Sequence, residues 1–230
     1  MTDPLLLGAA TLGVVHTLLG PDHYLPFVVL ARTRSWSWSR TALLVLGCGA
    51  AHVLASVLLG VGAVLLGSLV FRIEEIQALR GAVASWLLVG FGAAYASWGL
   101  RNAIRKRPHS HLHVHSDGTV HAHEHTHLRE HAHVHGKGRF VPWVLLTVFV
   151  VGPCEPLVPL LVYPVASGAA AEALAVTVVF AVSTLGTMLA ATSLALVFSR
   201  GLRASAVERY GDFVAGLVVL GCGLAMRFGA

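Results

Sequence analysis

Gly20-Pro21-Asp22-His23 and Gly152-Pro153-Cys154-Glu155 stand 132 residues apart, each inside a long apolar segment. Pro21 and Pro153 have no backbone N–H and clash with the carbonyl four residues earlier, at Thr17 and Phe149, so each interrupts a helix. Both prolines are followed at once by ionisable or metal-ligating side chains. In a bilayer, broken helices and ionisable groups are tolerated mainly where protein encloses them, so two matching breaks point to a site within the membrane. A simple proline kink would explain the prolines but not the residues after them.

Composition supports a membrane setting. The chain is 56% hydrophobic and 12% charged, with a mean hydropathy of +0.74, whereas a soluble domain carries about 25% charged residues. Six apolar stretches can cross a hydrocarbon core that takes about 20 helical residues. They are expected near 4–31, 41–70, 78–100, 140–165, 171–199 and 211–228. The start, Met1-Thr2-Asp3-Pro4, lacks a basic region, so the first span is expected to be retained.

If the spans alternate, the connections after spans 1, 3 and 5 hold 13 of the 16 basic residues. Arg72, Arg80 and Arg227 fall to the other side. The positive-inside rule then puts both termini outside and the 101–139 connection in the cytoplasm. The basic pI of about 9.6 is thus a topology signal. Its charges are spread over three loops, which argues against a nucleic-acid surface.

The halves resemble one another beyond the breaks. Gly20-Pro21-Asp22-His23-Tyr24-Leu25 aligns with Gly152-Pro153-Cys154-Glu155-Pro156-Leu157, and the same offset sets His52 against Thr184. At an offset one residue shorter, Val89-Gly90-Phe91-Gly92 meets Leu220-Gly221-Cys222-Gly223. Three spans per half is odd, so the second half enters from the opposite side. The expected fold is an all-α polytopic membrane protein of six transmembrane helices in a 3+3 inverted repeat, with helices 1 and 4 broken by proline. Residues 1–100 form the first repeat, 101–139 a cytoplasmic histidine-rich loop and 140–230 the second repeat.

Around the breaks lie the candidate ligands His16, Asp22, His23, His52, Cys154 and Glu155. Imidazoles suit nickel, cobalt, zinc and copper, and a thiolate favours the softer of these. Uncompensated carboxylates at this depth cost at least ~2.5 kcal/mol each, so Asp22 and Glu155 need a use. A lone membrane histidine such as His52 can equally serve by bonding a neighbouring helix.

The loop holds 11 of the 14 histidines, at His109, His111, His113, His115, His121, His123, His125, His127, His131, His133 and His135. In an extended strand, alternation puts one run's imidazoles on one face. A turn at Ser116-Asp117-Gly118-Thr119 would pair the first two runs. An odd connection sets the rows on one face, with His115 opposite His121 and His113 opposite His123; an even one sets them on opposite faces. Metal binding here should weaken as pH falls through the imidazole pKa near 6.5.

The His16–His23 stretch His-Thr-Leu-Leu-Gly-Pro-Asp-His, the Gly152–Pro159 stretch and the histidine loop resemble the nickel/cobalt transporter superfamily, especially its NicO branch and UreH-like urease accessory proteins. That resemblance implies nickel or cobalt translocation, with His16, Asp22 and His23 as the selectivity site. Here the spacing from His16 to the Asp22-His23 pair is one residue longer than in the larger nickel permeases. Gly152-Pro153-Cys154-Glu155-Pro156 also resembles the DsbD/CcdA transmembrane electron carriers, which work with one cysteine in each half. In this chain Asp22 stands opposite Cys154, while Cys48 and Cys222 lie in Gly-Cys-Gly settings that suit close helix packing.

The resulting expectation is a secondary transporter, not an enzyme, for a divalent transition-metal ion in the cell's inner membrane. Nickel or cobalt comes first, then zinc or copper, with no permanently bound cofactor. A cytosolic metallochaperone is a candidate partner, beside the lipid bilayer. The alternatives are a CcdA-like thiol-redox carrier and an exporter of a small organic solute.

Overall fold

In the computed structural model, residues 2–66, 72–105, 109–114, 120–125, 140–152, 154, 156–199 and 204–228 are described. The helices are α1 (Thr2–Leu19), α2 (Leu25–Thr33), α3 (Trp38–Leu65), α4 (Ile73–Arg105), α5 (Phe140–Val151), α6 (Leu157–Ala166), α7 (Ala170–Phe198) and α8 (Ala204–Phe228). A 3-10 turn, Pro21–His23, separates α1 from α2.

Four helical stretches are long and apolar enough to cross a membrane, Trp38–Leu65, Ile73–Ile104, Ala170–Phe198 and Tyr210–Phe228. Pro4–Leu19, Val141–Val151 and Leu157–Ala166 are apolar but shorter. Where the first and fourth spans were expected, the described residues hold pairs of shorter helices, α1 with α2 and α5 with α6, and not single helices long enough to cross. Leu43, Leu58, Leu65, Val182 and Leu194 are all more than half exposed. So much outward apolar surface belongs in lipid, and the chain is a multi-pass membrane protein.

Local signals set the boundaries. Ser37 caps α3 by accepting from the Arg40 amide at 3.3 Å, satisfying one of the unpaired donors of the first turn. Gly168, at φ 72°, ends α6, and the Ala169 amide reaches back to the Pro164 carbonyl at 2.8 Å. This left-handed residue turns the chain tightly into α7.

Packing joins the two halves. α4 lies along α8, α1 along α7, and α3 against both α5 and α6. The α4–α8 seam is backbone-close: a methyl group on Gly92 would collide with the Leu220 backbone, and one on Gly223 with the Val89 backbone. At one end, Arg34 donates to the Tyr95 hydroxyl at 2.9 Å and Tyr95 donates to Asp212 at 2.6 Å, tying α2, α4 and α8 together.

The histidine segment contains a two-stranded antiparallel ribbon, β1 (His109–Val114) with β2 (Val120–His125). Its connection is odd, but the register is shifted from the expected pairs, with His113 opposite His121, His111 opposite His123 and His109 opposite His125. His115, His127, His131, His133 and His135 lie outside the described residues.

Candidate functional site at the two helix breaks

α1 ends as the proline demands. The Gly20 amide still closes on the His16 carbonyl at 3.0 Å, and the chain then tightens into the 3-10 turn. That turn swings His23 back over Gly20, whose carbonyl lies 3.1 Å from His23 Nδ1. An added Cβ at Gly20 would sit 2.5 Å from the same nitrogen, so the close approach needs glycine. Asp22 Oδ2 is 3.4 Å from His23 Nδ1, and the two residues form a neighbouring pair.

The second break opens α5 at its C-terminal end, and its last carbonyls are met by other helices. The Phe149 carbonyl, four residues before Pro153, accepts from His52 Nδ1 at 2.9 Å. Arg80 of α4 donates to Val150 at 3.1 Å, Val151 at 3.2 Å and Gly152 at 3.0 Å. An arginine on an isolated membrane helix is costly. Here its donors replace the α-helical bonds that the break removes, and its charge sits at a helix C-terminus where a cation is favoured.

A carbonyl can only accept, so His52 Nδ1 carries its proton and the neutral ring leaves Nε2 with a bare lone pair. That Nε2 is buried and has no hydrogen-bond partner among the described residues, and the same holds for His16 Nε2. His52 is 3% exposed and Cys154 is fully buried. Ligand-type atoms of His16, His52 and Cys154 all lie within 4.8 Å of one another. The His16 and His52 rings are parallel with centroids 6.4 Å apart, and His23 stands edge-on to them at 4.7 and 5.5 Å. A cavity of ≈ 20 Å³ opens beside them, lined by Asp22, His23, His52, Phe149 and Gly152 among others. It is large enough for about one water.

Of the six residues singled out in sequence, three converge, His16, His52 and Cys154. Asp22 and His23 engage each other alongside, and Glu155 lies outside the described residues. Sequence reasoning missed Arg80, which it counted only as an outer-side charge. The signal available was its position inside the expected span 78–100, where a charge needs partners. Arg80 is also within electrostatic reach of Cys154.

A family model described as the cytochrome C biogenesis protein transmembrane region matches residues 25–225. Neither the curated proteins nor the solved structures give a match. The family match overturns the nickel/cobalt transporter assignment and, with it, metal translocation as the main function. It covers both halves of the chain from α2 to α8, including the Gly152–Pro159 stretch and the histidine loop, while the His16–His23 motif, one of the three features that carried the nickel resemblance, lies outside it. A short His/Asp/His spacing is a weaker constraint than the pattern of a whole membrane domain.

Proposed function

This chain belongs to the cytochrome C biogenesis transmembrane family, and we propose that within it the protein is a thiol-redox carrier whose reactive thiol is Cys154. The observation that carries this reading is the placement of Cys154 with His16 and His52, whose ligand-type atoms all lie within 4.8 Å of one another. The thiolate is the nucleophile in disulfide exchange, and it is favoured by a base that removes the proton and a cation that holds the charge. His52 Nε2 is the proton acceptor, since Nδ1 is committed to Phe149. Arg80 supplies the positive charge.

The exchange balances within the chain. Cys154 thiolate attacks one sulfur of a partner's disulfide, forming a mixed disulfide and releasing a partner thiolate, which takes the proton from the His52 imidazolium. A second thiol then attacks Cys154 Sγ, forming an internal disulfide and releasing the partner's other thiol. Two electrons and two protons pass to the partner, and a dithiol reductant restores the chain. The candidate second thiol is Cys48. It is buried on α3 four residues before His52, on the same helical face.

The reading includes the 3+3 inverted repeat. Under exchange of halves, the α1–α7 contact becomes α5–α3, the α3–α6 contact becomes α7–α2, and α4–α8 maps onto itself; all of these contacts are present. The Gly92–Leu220 and Gly223–Val89 approaches also interchange at a single offset. With the basic-residue asymmetry, this supports outside termini and a cytoplasmic histidine loop in the cell membrane.

The test is electron transfer in proteoliposomes, with a dithiol reductant on one side and a disulfide substrate on the other. Wild type should reduce the substrate, and mass spectrometry of the oxidised chain should find a Cys48–Cys154 bridge. Cys154→Ser should fall to the protein-free rate because a hydroxyl cannot take part in disulfide exchange. Wild-type exchange in Cys154→Ser would reject the proposal.

A further inference from the structure

We infer that His16, His52 and Cys154 form a reversible binding site for one soft or borderline metal ion, copper(I) before zinc(II), which is held there and not transported. Each ligand comes from a different part of the fold: α1, α3 and the segment between α5 and α6. Their ligand-type atoms already lie within 4.8 Å of one another, so small side-chain movements bring them around one ion. His52 has the arrangement that metal-ligating histidines use. Its Nδ1–H is held by a backbone carbonyl, which fixes the ring and presents the Nε2 lone pair. Both histidines keep a buried Nε2 without a hydrogen-bond partner among the described residues, a costly state that ligation would relieve.

The donor set selects the ion. A thiolate with two imidazoles favours copper(I) and zinc(II) over hard ions such as magnesium or manganese. The ligands together carry one negative charge, so a monovalent ion gives a neutral centre and a divalent ion a positive one. In surroundings this dry the neutral centre is the less costly. Asp22 and His23 are paired with each other at 3.4 Å, and the His23 ring stands edge-on to both histidine ligands.

The site uses the same thiol as the redox reading but needs no second cysteine and no disulfide. An occupied site would hold Cys154 as a metal thiolate and arrest its exchange.

Titration of the reduced, full-length protein in detergent with cobalt(II), a spectroscopic stand-in for zinc(II), tests the inference. Residues 101–139 contain no cysteine, so a thiolate-to-cobalt charge-transfer band cannot come from any metal taken up by the histidine loop. One such site per chain is expected, and copper(I) should bleach the band while magnesium and manganese should not. Cys154→Ala should abolish it, and the Cys48→Ala/Cys222→Ala double variant should retain it. His52→Ala or His16→Ala should weaken binding by more than the roughly 10–100-fold that loss of a supporting partner costs.

No band in wild type, or a band that survives Cys154→Ala, would overturn the site. The wild-type titration decides even where a variant fails to fold. A band in a protein that exchanges no disulfide refutes the redox reading alone, and exchange without a band refutes the metal site alone.

Discussion

The two breaks share the Gly-Pro punctuation and differ in where their polar partners come from. At the first, the partners are local: the 3-10 turn recloses the backbone, and His23 sits between Asp22 and the Gly20 carbonyl. At the second, they are borrowed: His52 from α3 meets Phe149, and Arg80 from α4 meets the next three carbonyls. A break with local partners can form as soon as its own residues meet. One with borrowed partners forms only when three segments of the chain are in place, which makes the setting of the proposed reactive thiol a product of the assembled fold.

The largest effect that would break this contrast is expected at Arg80. Arg80→Leu leaves three carbonyls at the end of α5 without these bonds, one exposed and two part-buried, and with net hydrogen bonds to a charged group worth about 1.5–3 kcal/mol the expected loss is about 3 kcal/mol. Thermal unfolding in detergent measures it. Arg80→Lys should recover only part, since an ammonium lacks the planar fork that spans several acceptors. A melting temperature equal to wild type in Arg80→Leu would mean that the second break does not depend on α4.

Next in size is the seam that joins the halves. Gly92→Ala and Gly223→Ala each push a methyl group into the facing backbone, with an expected cost of about 1–3 kcal/mol apiece. Because the two contacts interchange between halves, their costs should agree within about 1 kcal/mol in the same melting experiment. A large effect at one and none at the other would break the symmetry.

His52→Ala should slow disulfide exchange by about 10²-fold, the lower end of what a positioned proton acceptor contributes. His23→Ala should slow it less, because the ring of His23 is engaged with Asp22 and Gly20. Stopped-flow reduction of a disulfide substrate compares them, and equal rates would remove the special role given to His52. The smallest effect is expected from Asp22→Asn, which keeps the size and one acceptor oxygen at the first break. A loss of about 1 kcal/mol of stability is expected, the net worth of an ordinary hydrogen bond.

Much of this was legible beforehand because it depends on chain-local physics. Two prolines in apolar segments dictated two interruptions, and the rule that proline frees the carbonyl four residues earlier named Phe149 before its partner was known. The function was misread for a related reason. The His16, Asp22 and His23 spacing resembled a nickel/cobalt selectivity site, whereas the family match over residues 25–225 is to the cytochrome C biogenesis transmembrane region and begins after that motif. Arg80 was overlooked because charge counting asks which side of the membrane a residue marks, not which carbonyls it can reach.

The sequence by itself determined that the chain is helical and membrane-embedded, and where its helices break, since hydropathy and proline stereochemistry act over a few neighbouring residues. Tertiary structure alone decided that His16, His52 and Cys154 meet, which lone pair of His52 is left bare, and that Arg80 closes the second break. Those outcomes depend on distances between residues 36 to 138 positions apart in the chain, and only helix packing sets such distances.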